Sequence, residues 1–216
     1  MLQNLSYRIP REIEEDHKKM SGLSAKIHVA MPGIIQSFNS TTQTATVQLS
    51  VQELVNIQGV QSWVNIPMLH DVPIVFPRAS GYSITFPVAA GNECLVIFAD
   101  VCTDAHFQSG GTNNIQMCKR RHSLSDGYAI ITGTSQPNSL STIANGLQLQ
   151  KDDGSATINI QANTITINAN TSVNVNASTV NVNAGNSNTV NINGRNFLSH
   201  SHSGVQTGSG STGGVV

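Results

Sequence analysis

Residues 154–194 carry a short repeat in which aliphatic and polar positions alternate. Its five units are Ile158-Asn-Ile160-Gln-Ala162, Ile165-Thr-Ile167-Asn-Ala169, Val173-Asn-Val175-Asn-Ala177, Val180-Asn-Val182-Asn-Ala184 and Val190-Asn-Ile192-Asn-Gly194. The units follow one another at nearly even spacing, with the widest gap before Val190. Alternation with period two puts Ile and Val on one side of an extended strand and Asn, Thr or Gln on the other. Each unit therefore reads as a strand with one apolar face, ending in a small residue and followed by a polar corner. The repeat is too short to close a solenoid turn within one chain, whose coils take about 20 residues or more. Left single, its apolar faces would lie open and its strand edges would template aggregation. Winding three chains about a common axis answers both problems. Branched aliphatics fill a narrow core, neighbouring chains pair the edges, and Ala or Gly fits the corners. The expectation for residues 137–196 is an intertwined trimeric β-helix. A disordered Asn/Ser/Thr-rich tail and an amyloid-like segment are the competing readings, and disorder would not hold Ile and Val at a strict period of two.

Upstream, from Met31, the pattern is that of short strands broken by Gly and Pro. Gly33 to Ser50 reads as strand, polar turn, strand, with Thr44, Thr46 and Gln48 alternating against Ala45, Val47 and Leu49. Residues 51–64 have room for another strand. Pro73–Arg78, Ser83–Pro87 and Glu93–Phe98 follow, separated by turns at Ala79-Ser-Gly81 and Ala89-Ala-Gly-Asn92, and Ser123–Thr132 returns to strand. About five strands over about 100 residues is the size of an OB-type barrel, expected over 31–136. Before it, acids precede bases in Arg11–Met20, which suits a helix over 8–28. Its stripe of Ile13, Met20, Leu23 and Ile27 is too thin to bury alone. It packs on a neighbouring chain or an assembly partner, or else residues 1–30 form a solvated arm. The fold class is thus all-β with a short N-terminal helix.

Charge narrows the function. Charged residues are 11% of the chain and the net charge is −1, so no broad basic surface argues for nucleic acid or an anionic membrane. Eight of the 23 charged residues lie between Arg8 and Lys19, and after Asp153 only Arg195 is charged. No apolar run approaches the ~20 residues that span a bilayer, and the N-terminus lacks a basic-then-apolar leader pattern. Synthesis and first folding in the cytoplasm are expected. The three cysteines, Cys94, Cys102 and Cys118, are odd in number and show no C-x-x-C spacing. Cys94 reads as a buried thiol within a strand. A disulfide framework is not expected, and a Cys102/His106/Cys118/His122 metal site is a remote alternative.

Groups that could serve a catalyst gather at His70-Asp71, Asp100–His106 and Lys119–His122. A His–carboxylate pair could do acid–base work, yet no nucleophile elbow, phosphate loop or H-E-x-x-H helix accompanies it. Polar loops bridging to a partner chain are the better account. OB barrels that bind single strands or sugars need aromatics beside basic residues. Here aromatics are 5% and Trp63 is the single tryptophan, so core packing or an intersubunit contact suits Trp63 better than ligand stacking.

Beyond the repeat, His200 and His202 sit two residues apart and would aim two imidazoles the same way in an extended strand. Two nitrogens are a poor metal site. Three copies about a threefold axis would offer six, which suits an octahedral first-row transition ion rather than four-coordinate structural zinc. A solvated polar tail is the bland alternative.

An N-terminal β-barrel, an Asn-rich triple β-helix and a terminal His-x-His resemble the central membrane-piercing spike of contractile-tailed bacteriophages. In the barrel the likeness rests on Pro32-Gly-Ile-Ile35, Thr42–Val47, Val72-Pro-Ile-Val-Phe-Pro77, Thr85-Phe-Pro-Val88, Gly91–Leu95, Gln108-Ser-Gly-Gly111 and Arg120-Arg-His-Ser-Leu-Ser-Asp-Gly127. At the end it rests on His200-Ser-His-Ser-Gly204 and the Gly-rich run through Gly213-Gly214. The resemblance implies a homotrimer in the virion, with an OB-fold collar on the baseplate hub or tail-tube end. It also implies a shaft over 137–196 and a tip over 197–216 that holds one iron ion through His200 and His202 of three chains. Such a spike crosses the host outer membrane mechanically and is no enzyme. The sequence has no lysozyme-like insertion, so wall-degrading activity is not implied. A trimeric tailspike glycosidase would need paired carboxylates on the repeat, and none lie between Gly154 and Gly194. A carbohydrate-binding baseplate barrel is the other alternative.

Overall fold

The computed structural model describes residues 9–24, 26–133, 135–183, 189–196 and 208. The chain divides into two compact units, Met1–Thr142 and Ile143–Val216.

The first unit opens with helix α1 (Ile9–Ser24), followed by strands β1 (Ala30–Asn39), β2 (Thr44–Leu49), β3 (Gln52–Ile57), β4 (Val60–Asn65), β5 (Leu69–Val75), β6 (Arg78–Ala79), β7 (Tyr82–Ser83) and β8 (Glu93–Phe98). Helix α2 (Asp104–Ser109) and strand β9 (Gly127–Ile131) complete it. Five of these strands close a barrel in the order β1-β2-β5-β9-β8, antiparallel throughout except for the parallel β5–β9 pair. The five-stranded barrel is as expected from the alternation. Ala45, Val47 and Leu49 of β2 point inward with Ile35 of β1, Cys94, Val96 and Phe98 of β8, and Ala129 of β9, and all are buried. Strand β5 breaks strict alternation, burying Leu69, Val72 and Ile74. The cause is a bulge: Ala45 pairs with Val72 but Val47 pairs with Leu69, and the extra residue Asp71 adopts φ +55°.

Residues 51–64 differ from the expectation of one further strand. They form the hairpin β3–β4, turned at Gln58–Gly59 with φ +53° and +87°. Two consecutive left-handed residues make the turn whose twist matches that of paired strands. Residues 83–87, expected as a strand, pair only at Tyr82–Ser83 through a similar Ser80–Gly81 turn. Ile13, Met20 and Leu23 of α1 are exposed, as is Ile27 beyond its end.

The second unit contains β10 (Leu147–Gln150), β11 (Ala156–Gln161) and β12 (Thr164–Ala169) in one antiparallel sheet, then β13 (Asn191–Ile192) and β14 (Arg195–Asn196) as a small hairpin. The first two repeat units are strands β11 and β12, joined at the small residue Ala162, where φ is +41°. They pair with each other rather than standing apart. Units three and four, also expected as strands, form no strand over 172–183. A strand requires a backbone partner, and among the described residues this single chain presents none there. The fifth unit turns back on itself at Asn193–Gly194.

Candidate functional site

In the repeat unit, sheet register decides which side chains share a face. Leu149 pairs with Ile158 and Ile158 with Ile167; Leu147 pairs with Ile160 and Ile160 with Ile165. Six aliphatic side chains therefore form two transverse rows on one face, with Gln148, Asn159 and Thr166 among those on the other. All six aliphatics are 40–69% exposed. Val173, Val175, Val180 and Val182 continue the alternation and are 54–68% exposed. The apolar side of this segment is thus laid out by the sequence and uncovered within one chain. Strand β10 is a unit that the repeat count missed, although Leu147-Gln-Leu149-Gln carries the same signal. Its corner into β11 holds the last acidic groups of the chain: Asp153 accepts the Ser155 N–H at 2.9 Å and pairs with Lys151.

In the barrel unit, the connection from β8 to β9 is organised by one guanidinium. Arg120 donates from Nε to Asp126 Oδ2 at 2.9 Å and from Nη2 to Asp126 Oδ1 at 3.0 Å. Its Nη2 also reaches both oxygens of Asp104 at 2.9 Å and Cys102 Sγ at 3.3 Å. Asp126 is buried and takes a further hydrogen bond from Thr103 N at 3.0 Å. The Arg120 hydrogen bonds hold the Asp126 carboxyl below its ordinary range. Beside this network Asp100 pairs with Arg121 at 2.8 Å and with His122 Nε2 at 3.1 Å. His122 has φ +45°, and its buried Nδ1 has no hydrogen-bond partner among the described residues. In the sequence Arg120 and Asp126 stand out only as members of a motif; nothing in their spacing says that one arginine would hold two loop carboxylates.

The other candidates fall apart or take structural places. His70 lies 3.5 Å from Thr46 Oγ1, and Asp71 is the bulge residue of β5. His106 faces Asn114 at 3.4 Å. Neither His106 nor His122 joins Cys102 and Cys118. Among the described residues the group with metal-ligand spacing is Cys102, Asp104 and Cys118, whose ligand atoms lie within 4.8 Å of one another. Arg120 Nη2 already contacts two of these three, so a metal ion would have to displace the Arg120–Asp104 ion pair. Cys94 is fully buried and its thiol is pushed up to about 11 by desolvation, which fits an inert core residue. Trp63 is 64% exposed on β4, opposite Leu54, so it is not a core residue of this chain. A cleft of about 730 Å³ is lined by Lys26, His28, Met31, Glu53, Ile66 and Arg121 among others, a mixed wall with no convergent catalytic set. His200 and His202 lie outside the described residues.

One tie marks the chain's exit from the barrel. Glu93 accepts the Ser135 N–H at 2.9 Å, the Ser135 hydroxyl and the Asn138 side-chain amide. The short helical turn Gln136–Asn138 is so fixed to the start of β8.

Residues 31–132, just under half of the chain, match the family described as phage protein Gp138 N-terminal domain. The match coincides with the closed barrel and its loops, and it supports a phage structural protein. No curated protein matches the chain.

Proposed function

We propose that this protein is the central spike of a contractile phage tail, a homotrimer that pierces the host outer membrane mechanically. The reading is carried by the uncovered apolar face of the repeat, downstream of a barrel similar to a phage-protein domain. The aliphatic side chains from Leu147 to Val182 are 40% exposed or more in one chain. Covering them returns on the order of 1 kcal/mol each, enough in sum to offset much of the cost of association. Two further copies of the same segment provide that cover with matching periodicity and close every strand edge. The exposed Trp63 and Leu54 of the β3–β4 hairpin suit contact between neighbouring barrels.

In this reading residues 31–136 form an OB-fold collar on the baseplate hub or tail-tube end, aided by α1, and 137–196 form the shaft. With strands of three chains interleaved near 4.8 Å, in place of the β11–β12 pairing within one chain, five repeats extend over roughly 50–70 Å, against ~40–45 Å for a bilayer with its headgroups. An edge-paired shaft resists bending, and sheath contraction supplies the work. The tip frays most easily, since strand ends lack neighbours. His200 and His202 from three chains give six imidazole nitrogens, a donor set that fits one iron or another first-row ion with octahedral preference. Such an ion would staple the three chains and leave no position open for substrate. The protein in this reading is a virion component and not an enzyme, binds no nucleic acid, and meets the host membrane only in passing.

The test is mass and metal together. Sedimentation equilibrium of the full chain is expected to give three times the single-chain mass of 22.9 kDa, with about one iron per three chains. His200→Ala and His202→Ala each abolish the metal and keep the trimer. A monomer would sink the spike reading, and metal retained in both variants would sink the tip.

A further inference from the structure

Independently of the spike reading, we infer that Cys102 and Cys118 form an oxidisable pair that closes the β8–β9 connection into a covalent loop. Their sulfurs and an Asp104 oxygen lie within 4.8 Å of one another, although the whole of helix α2 and the loop after it separate the cysteines in sequence. Bonding requires the two sulfurs to close from this separation to about 2 Å. Cys102 is buried and Cys118 half-buried, so an incoming disulfide meets Cys118 first. The remaining thiol, Cys94, is fully buried in the barrel core.

The reaction is thiol–disulfide exchange with a low-molecular-weight disulfide such as oxidised glutathione as oxidant. Cys118 loses its proton and its sulfur attacks one glutathione sulfur; the glutathione S–S bond breaks, and one glutathione leaves and takes up a proton. Cys102 then gives up its proton and attacks Cys118 Sγ in the mixed disulfide, expelling the second glutathione, which takes up a proton in turn. Two protein thiols are oxidised to one disulfide and one glutathione disulfide is reduced to two thiols. The Cys118 hydrogen bond and burial hold the Cys102 thiol above its ordinary range, so this second attack is favoured by the nearness of the two sulfurs and not by the acidity of Cys102.

The loop so closed has reason to need a lock. Between the two cysteines, Phe107, Ile115 and Met117 are exposed, and Gly110 and Gly111 take φ +63° and +76°. Its base is held chiefly by the Arg120 contacts to Asp104 and Asp126. A disulfide at that base removes freedom from the opened loop.

The experiment equilibrates the native full chain with oxidised and reduced glutathione, quenches with an alkylating agent, and maps peptides by mass. Expected are a drop from three free thiols to one, a linked peptide joining Cys102 to Cys118, and proteolysis within 103–117 slowed about tenfold and restored by dithiothreitol. Cys102→Ser and Cys118→Ser each lack the linked peptide. Three free thiols under oxidising buffer, a bridge to Cys94, or only intermolecular bridges would overturn the inference. So would protection of both thiols by added zinc without a cross-link. The wild-type thiol count decides the matter even if a serine variant folds poorly.

Discussion

Gly33 stands where the barrel wall has no room for a side chain. A Cβ at this position would meet Val47 Cγ1 at 2.6 Å and Gln48 O at 3.3 Å, because β1 and β2 approach face to core at that point. Gly33→Ala is expected to cost about 1–3 kcal/mol by overpacking, and Val47→Ala about 2 kcal/mol by opening a void. In the double variant the new methyl occupies part of the space vacated by Val47, so urea unfolding should show a loss smaller than the sum. Asp126 carries the second prediction at this scale. Its folded carboxyl lies below its ordinary range, so its contribution is complete above the unfolded value of ~3.9 and is lost as pH falls through the folded value. Asp126→Asn leaves Arg120 with half its partners and is expected to cost about 3 kcal/mol at pH 7. Once pH has fallen below the folded value, the variant and the wild type should converge in denaturant midpoint.

At the scale of elements, the repeat and the barrel read differently from the sequence. The inward residues of β2 and β8 are legible because alternation and burial coincide there. Strand β5 is less so, since the bulge at Asp71 shifts the buried set by one residue and period-two counting cannot foresee it. The hairpin β3–β4 passes for one strand because its Gln58–Gly59 turn lies inside a continuous β-rich stretch. In the second unit the aliphatic face of β10–β12 is visible in full except for β10, and the pairing of β11 with β12 is not. Replacing the central row residue, Ile158→Asn, puts an amide on the apolar face. Under the proposed function it should shift the sedimenting species from the trimer toward the 22.9 kDa of one chain, whereas Asn159→Ser on the opposite face should leave the mass unchanged. Glu93→Gln weakens the tie to Ser135 and Asn138 and should speed hydrogen exchange at 135–138 without altering the barrel strands.

For the whole molecule, the predictions concern assembly and the end of the chain. If the tip ion only staples a shaft already held by its core, strong chelation should remove the metal and leave the sedimenting mass at that of three chains. Dissociation on chelation would instead assign the assembly energy to the metal. Strand periodicity, the uncharged repeat and the His-x-His are local patterns, so they were determined by the sequence alone: neighbours i and i+2 share a face whatever surrounds them. The tertiary structure decided what depends on residues distant along the chain. It set the barrel's closing order, the bulge at Asp71, the exposure of Trp63, the single arginine that gathers Asp104, Asp126 and Cys102, and the approach of Cys102 to Cys118. These rest on register and loop path, which bring Arg120 against partners on both sides of it in the chain, and no local period encodes such meetings.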